Sequence, residues 1–133
     1  MSEAEGKLLV GTAKGLFILD RSGDGWSMTG PHFSGRSVYA AMLDRRAGRN
    51  RIWAAATSWH FGAELVFSDD NGATWDMPEQ MRIKFPKDTE KSLENIWQIA
   101  TGADDDTLYV GVAPAAVFES HDNGATWSLN RGL

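Results

Sequence analysis

His32 and His60 each precede a phenylalanine, in the loop-like stretches "GPHFSGR" (30–36) and "SWHFG" (58–62). Two imidazoles brought together near neutral pH could hold a metal, polarise a substrate or pass a proton. No spacing in the chain matches a metal-ligand signature, so no metal is expected, and capping of each loop by its own histidine is the competing reading. Trp59, next to His60, offers a flat face on which a sugar ring could stack, or a wedge between packed elements. Glu94 and Asn95 supply a carboxylate and an amide at the start of the run "NIWQIAT" (95–101). A glycosidase needs two carboxylates facing one bond, about 5–9 Å apart. Of Glu64, Glu94 and Glu119, Glu94 is the one expected to face a central ligand. His32, His60, Trp59, Glu94 and Asn95 are therefore the expected ligand-binding set, with no cofactor implied. His121 falls in a turn and is expected to be exposed.

These residues must be held by something, and the chain states it by repetition. "SDDNGATW" (68–75) and "SHDNGATW" (120–127) differ at one position. Around them three segments align, beginning at Lys7, Arg51 and Thr107, each with a β-rich run, a second apolar run, a turn and a tryptophan (Trp26, Trp75, Trp127). One more strand-like run precedes the second and third segments, "SVYAAML" (37–43) and "NIWQIAT". Repeats of about 50 residues with four short strands each are the signature of propeller blades. The expected fold is all-β, a single partial β-propeller domain over 1–133. Its four-stranded antiparallel blades cover about 7–30, 37–80 and 95–131, the first lacking its innermost strand. Only the stretch 88–97 has any helical character.

The octapeptide reads as a hairpin staple. Asn71-Gly72 and Asn123-Gly124 tolerate positive φ, as a tight reversal requires. Ser68, Asp70, Ser120 and Asp122 can accept hydrogen bonds from the loop's own N–H groups. Thr74 and Thr126 favour strand geometry, and Trp75 and Trp127 can bury a ring beneath the turn. The pattern also echoes a calcium loop, but Phe67 and Pro78 stand where that loop needs its first and last acidic ligands.

The pattern S-x-D-x-G-x-T-W resembles the Asp-box, or BNR repeat, of sialidases and of many β-propellers that are not sialidases. Ser68, Asp70, Gly72, Thr74 and Trp75 match it, as do Ser120, Asp122, Gly124, Thr126 and Trp127. Together with "KLLVGTAKGLF" and "HFGAEL", these motifs make the whole chain look like the N-terminal part of bacterial sialidase-like proteins. The resemblance implies Asp-boxes on the face opposite a binding cleft. It also implies a tyrosine nucleophile with a glutamate and three arginines in true sialidases. Arg36, Tyr39 and Glu94 are the matching candidates for catalysis, and the Arg-Ile-Pro motif of sialidases is absent. The expected function is a ligand- or partner-binding scaffold. The alternative is a glycoside hydrolase or lyase whose other catalytic residues lie in blades outside this chain.

Composition narrows the partners. The net charge of −5 argues against nucleic acid. The one basic cluster, "RRAGRNR" (45–51), is expected to be a solvated hairpin tip. No cysteine is present, so thiolate sites and disulfides are out. No signal-like or membrane-spanning run is evident, and a cytoplasmic location is expected. With one blade incomplete, the expected partners are further blades or another copy of the chain, alongside a small-molecule or carbohydrate ligand. An open stack would otherwise expose apolar faces and a strand edge.

Overall fold

The computed structural model describes residues 6–58 and 62–132. The chain is all-β. Three antiparallel sheets follow one another: β1 (Lys7–Thr12), β2 (Gly15–Ser22) and β3 (Gly25–His32); then β4 (Ser37–Asp44), β5 (Arg51–Ser58) and β6 (Gly62–Ser68); then β7 (Asn95–Thr101), β8 (Leu108–Ala113), β9 (Ala116–Ser120) and β10 (Ser128–Leu129). Strands within each sheet are hydrogen-bonded in sequence order. Short 3-10 turns lie at Arg46–Gly48, Glu79–Met81 and Lys87–Thr89. The last is what becomes of the helical character near residue 88, and Glu90 ends it at a φ of 56°.

The sheets hold three, three and four strands, where four were expected in the second. After β6 the returning chain makes one bridge, with Phe67 and Asp76 exchanging N–H···O bonds of 2.9 and 3.0 Å. Pro78 then arrives without an N–H to continue the ladder. In the third sheet Ser128 and Leu129 pair with Glu119 and Phe118, and no proline interrupts them.

Sheets stack face to face because the strand period of two gives each of them two apolar faces. β5 is buried from Ile52 to Ala56 and carries a continuous apolar run, as a strand covered on both faces must. Ile52, Ala54 and Ala56 pack with Leu16 and Ile18 of the first sheet. Trp53 and Ala55 point the other way and pack with Ile96, Leu108, Val110 and Phe118 of the third. Alanine at both faces lets the neighbouring backbones approach. The most crowded approach is at Gly11, where a Cβ would lie 2.3 Å from the Val38 carbonyl oxygen. Strands β1 and β4 are in contact, as are β4 and β7, so the leading strands of the three sheets run beside one another.

Candidate functional site

The repeated octapeptide builds two near-identical hydrogen-bonded loops. Ser68 Oγ donates to Asp70 Oδ1 at 2.7 Å and accepts from the Gly72 N–H at 2.8 Å. Asp70 then accepts from the Thr74 N–H at 2.8 Å and from Thr74 Oγ1 at 2.5 Å. Ser120, Asp122, Gly124 and Thr126 repeat these bonds at 2.7, 2.8, 2.9 and 2.6 Å. The Thr74 hydroxyl and N–H, with Ser68, hold the Asp70 carboxyl down at about 2. At Asp122 burial opposes ionisation, but the bonds from Thr126 and Ser120 outweigh it and keep the pKa low. Both oxygens of each carboxylate accept hydrogen bonds from within the loop, which gives the two aspartates a structural role.

The rest of the octapeptide reaches across to the preceding sheet. Asn71, at a φ of 59°, accepts from Lys7 Nζ at 2.5 Å and donates to Asp20 Oδ2 at 2.9 Å. Asn123, at a φ of 55° and with its amide oriented as its neighbours require, donates to Asp44 Oδ2 at 3.2 Å and accepts from Arg49 Nε at 2.9 Å. Each asparagine thus bridges an acid–base pair on the sheet before its own. The glycines allow that approach. A Cβ on Gly72 would fall 2.7 Å from Ile18 Cδ1, and one on Gly124 2.4 Å from Trp53 Cη2. The tryptophans follow: Trp75 lies 4.7 Å from the Phe33 ring, and Trp127 meets Trp53 edge-on at 6.4 Å. Ser, Asp and Thr shape the loop. Asn, Gly and Trp fasten it to the neighbouring sheet.

The "RRAGRNR" turn shares this fastening and is not merely a solvated tip. Arg46 holds the fully buried Asp44 and donates to the Asp104 and Thr107 carbonyl oxygens, in the connection between β7 and β8, at 2.7 and 2.9 Å. Arg49 bonds the Asp105 carbonyl and the Asp106 carboxylate. At Asp44 burial opposes ionisation, and Arg46 and Arg49 more than reverse it.

The candidates for chemistry are placed as follows. His32 ends β3 and lies against Trp75, 5.8 Å between ring centroids, with a nitrogen 3.0 Å from Thr29 Oγ1. Burial depresses its pKa, so it is neutral at pH 7 and packed between the first two sheets. Trp59 and His60 lie outside the described residues. Arg36 donates to Glu64 Oε1 at 2.8 Å and to the Ala56 carbonyl at 2.9 Å. Asn95 Oδ1 accepts from Thr57 Oγ1 at 3.0 Å, tying β7 to β5. Glu94 is exposed, its N–H bonded to the Ala113 carbonyl at 2.8 Å. His121 is exposed and 3.4 Å from Glu119. Arg36, Glu64, Glu94 and Asn95 gather at the ends of β4 to β7 remote from the octapeptide turns. Among the described residues, no group of three or more His, Cys, Asp or Glu is placed to hold a metal.

One feature at that end is not visible in residue types alone. β4 bulges between Val38 and Ala40, and β7 bulges between Ile96 and Gln98. The residues left unpaired are Tyr39 and Trp97. A bulge re-aims its side chain out of the pleat. The two rings meet each other at 5.2 Å between centroids, yet remain 52% and 51% exposed. The signal for this pair was present in the matched openings Ser37-Val38-Tyr39 and Asn95-Ile96-Trp97, each with an aromatic third. The chain matches no protein-family model and no curated protein.

Proposed function

We propose that this chain is a ligand-binding scaffold of propeller type, with Asp-box loops fastening successive sheets and Tyr39 and Trp97 forming the binding platform. The carrying observation is the exposed aromatic pair thrown out by two bulges at equivalent positions of neighbouring strands. Leaving two large rings half in water forgoes a hydrophobic gain of the order of 1 kcal/mol each. An exposed aromatic pair beside polar groups, its rings inclined at 55° to each other, offers faces on which a ring-shaped ligand with one apolar face can stack, of which a saccharide is the leading example. Glu94 and Asn95, at the start of the strand that carries Trp97, supply an acceptor and an amide to orient such a ligand. The propeller reading is supported by the face-to-face stacking and by the side-by-side leading strands β1, β4 and β7.

The test is isothermal titration with a panel of neutral and acidic mono- and oligosaccharides against the wild type, Trp97→Ala and Tyr39→Ala. At least one ligand should bind, and each variant should weaken it about tenfold, the equivalent of about 1.4 kcal/mol. Binding that both variants leave intact would remove the platform from the account. Turnover of an aryl glycoside that Glu94→Gln abolishes would replace the scaffold with a hydrolase.

A further inference from the structure

Each sheet in the stack has a leading face and a trailing face, and the same positions serve each time. On the leading faces, Ile52 and Ala54 of the second sheet and Leu108 and Val110 of the third are all fully buried beneath the sheet before them. The aligned positions in the first sheet are Leu8 and Val10, and among the described residues no sheet covers them. The register carries the pattern across: Leu8 faces Leu19, Leu19 faces Met28 and Val10 faces Phe17, with Trp26 opposite Arg21 at the strand end. Leu8 is 52% and Met28 62% exposed. A contiguous apolar sheet face of this kind marks an interaction surface.

The other end of the stack carries the complement. Trp53 on the trailing face of the second sheet is buried under the third. The aligned position in the third sheet is Tyr109, 37% exposed, with Gly111 and Val117 paired beside it. A Cβ on Gly111 would meet nothing within 4 Å, whereas Gly11 at the aligned position of the first sheet is pressed against Val38.

We propose that the uncovered face of the first sheet docks on the uncovered face of the third sheet of a second copy of this chain, head to tail. The contact continues the stacking already made twice within the chain, so each copy carries both halves of one interface. Such a heterologous contact closes into a ring where its rotation allows and otherwise extends. It differs from the internal contacts at the turn. The first sheet has Gly23-Asp24-Gly25 where the others have the Asn-Gly bridge, so apolar burial must carry the docking.

The test uses Leu8→Glu, which spoils one half, and Tyr109→Glu, which spoils the other. Met28→Glu is held in reserve should Leu8→Glu lose its β circular dichroism. By light scattering at about 100 μM, well above a micromolar Kd, the wild type should be a dimer or larger. Each variant alone should be a 14.6 kDa monomer. An equimolar mixture of the two should form a one-to-one dimer, because it still holds one intact half of each kind. A monomeric wild type, an associated Tyr109→Glu, or a mixture that stays monomeric would each overturn the proposal. The second of these would point to contact between two first sheets.

Discussion

Gly124→Ala measures what the octapeptide contributes to stacking. Gly124 sits at a φ of +86°, and an added Cβ would lie 2.4 and 2.7 Å from Cη2 and Cζ2 of Trp53. Two costs add. Forcing an L-residue into the left-handed region takes about 1–2 kcal/mol. Overfilling a packed core takes about 1–3 kcal/mol more, and the Trp53 ring, fully buried between two sheets, has little room to yield. The total is about 2–5 kcal/mol. Gly23→Ala separates the terms, because Gly23 has a φ of +58° but nothing within 4 Å of its Cβ, leaving only the backbone cost. Gly72→Ala should fall between the two, since its nearest contact is the tip of the flexible Ile18 side chain at 2.7 Å. Urea denaturation gives all three from midpoints at a common m value. If Gly124→Ala costs no more than Gly23→Ala, the glycine serves the turn alone and the stacking role is refuted.

Two further outcomes follow from the same loops. Ser120→Ala removes a fully buried hydroxyl that accepts from the Gly124 N–H and donates to Asp122, so the orphaned N–H should lower stability by about 1–3 kcal/mol in the same denaturation assay. The Asp70 carboxyl, ordinarily near 3.8, is held at about 2 in the folded chain, and Asp122 is depressed in the same direction. Their stabilisation is therefore complete above about pH 4 and is lost as pH falls towards 2. Thermal melts should show the midpoint steady from pH 7 to 5 and dropping below 4, with a shallower drop in Asp70→Asn. A profile unchanged by that substitution would contradict the hydrogen-bond assignment.

Local chemistry was legible in the sequence, and contacts between sheets were not. The three-repeat pattern located the strands, and the Ser and Asp acceptors could be named in advance because each bond spans at most four residues, whereas Thr74 and Thr126, read as strand formers, lie in the turn and hydrogen-bond Asp70 and Asp122. The reach of Asn71 and Asn123 could not, since it depends on Lys7, Asp20, Asp44 and Arg49 on a different sheet. The same applies to the arginine turn, which an inventory of surface charge leaves in solvent although Asp104 and Thr107 receive Arg46. The second sheet fell one strand short because a single proline outweighs a favourable repeat. Sequence reasoning names Tyr39 only as a catalytic candidate and Trp97 not at all, for another reason. A bulge shifts the strand period by one residue, so period-two reasoning assigns these rings to the packed faces when they point away.

The most direct measurement is an NMR titration that watches the tryptophan indole N–H resonances as a bound saccharide from the panel is added, with the Trp97 signal identified by its disappearance in Trp97→Phe. The account predicts a saturable shift of the Trp97 signal while those of Trp75 and Trp127, packed between sheets, stay in place. Shifts at Trp75 and Trp127 with Trp97 unmoved would mean that the octapeptide loops receive the ligand, and would contradict the division between fastening and binding.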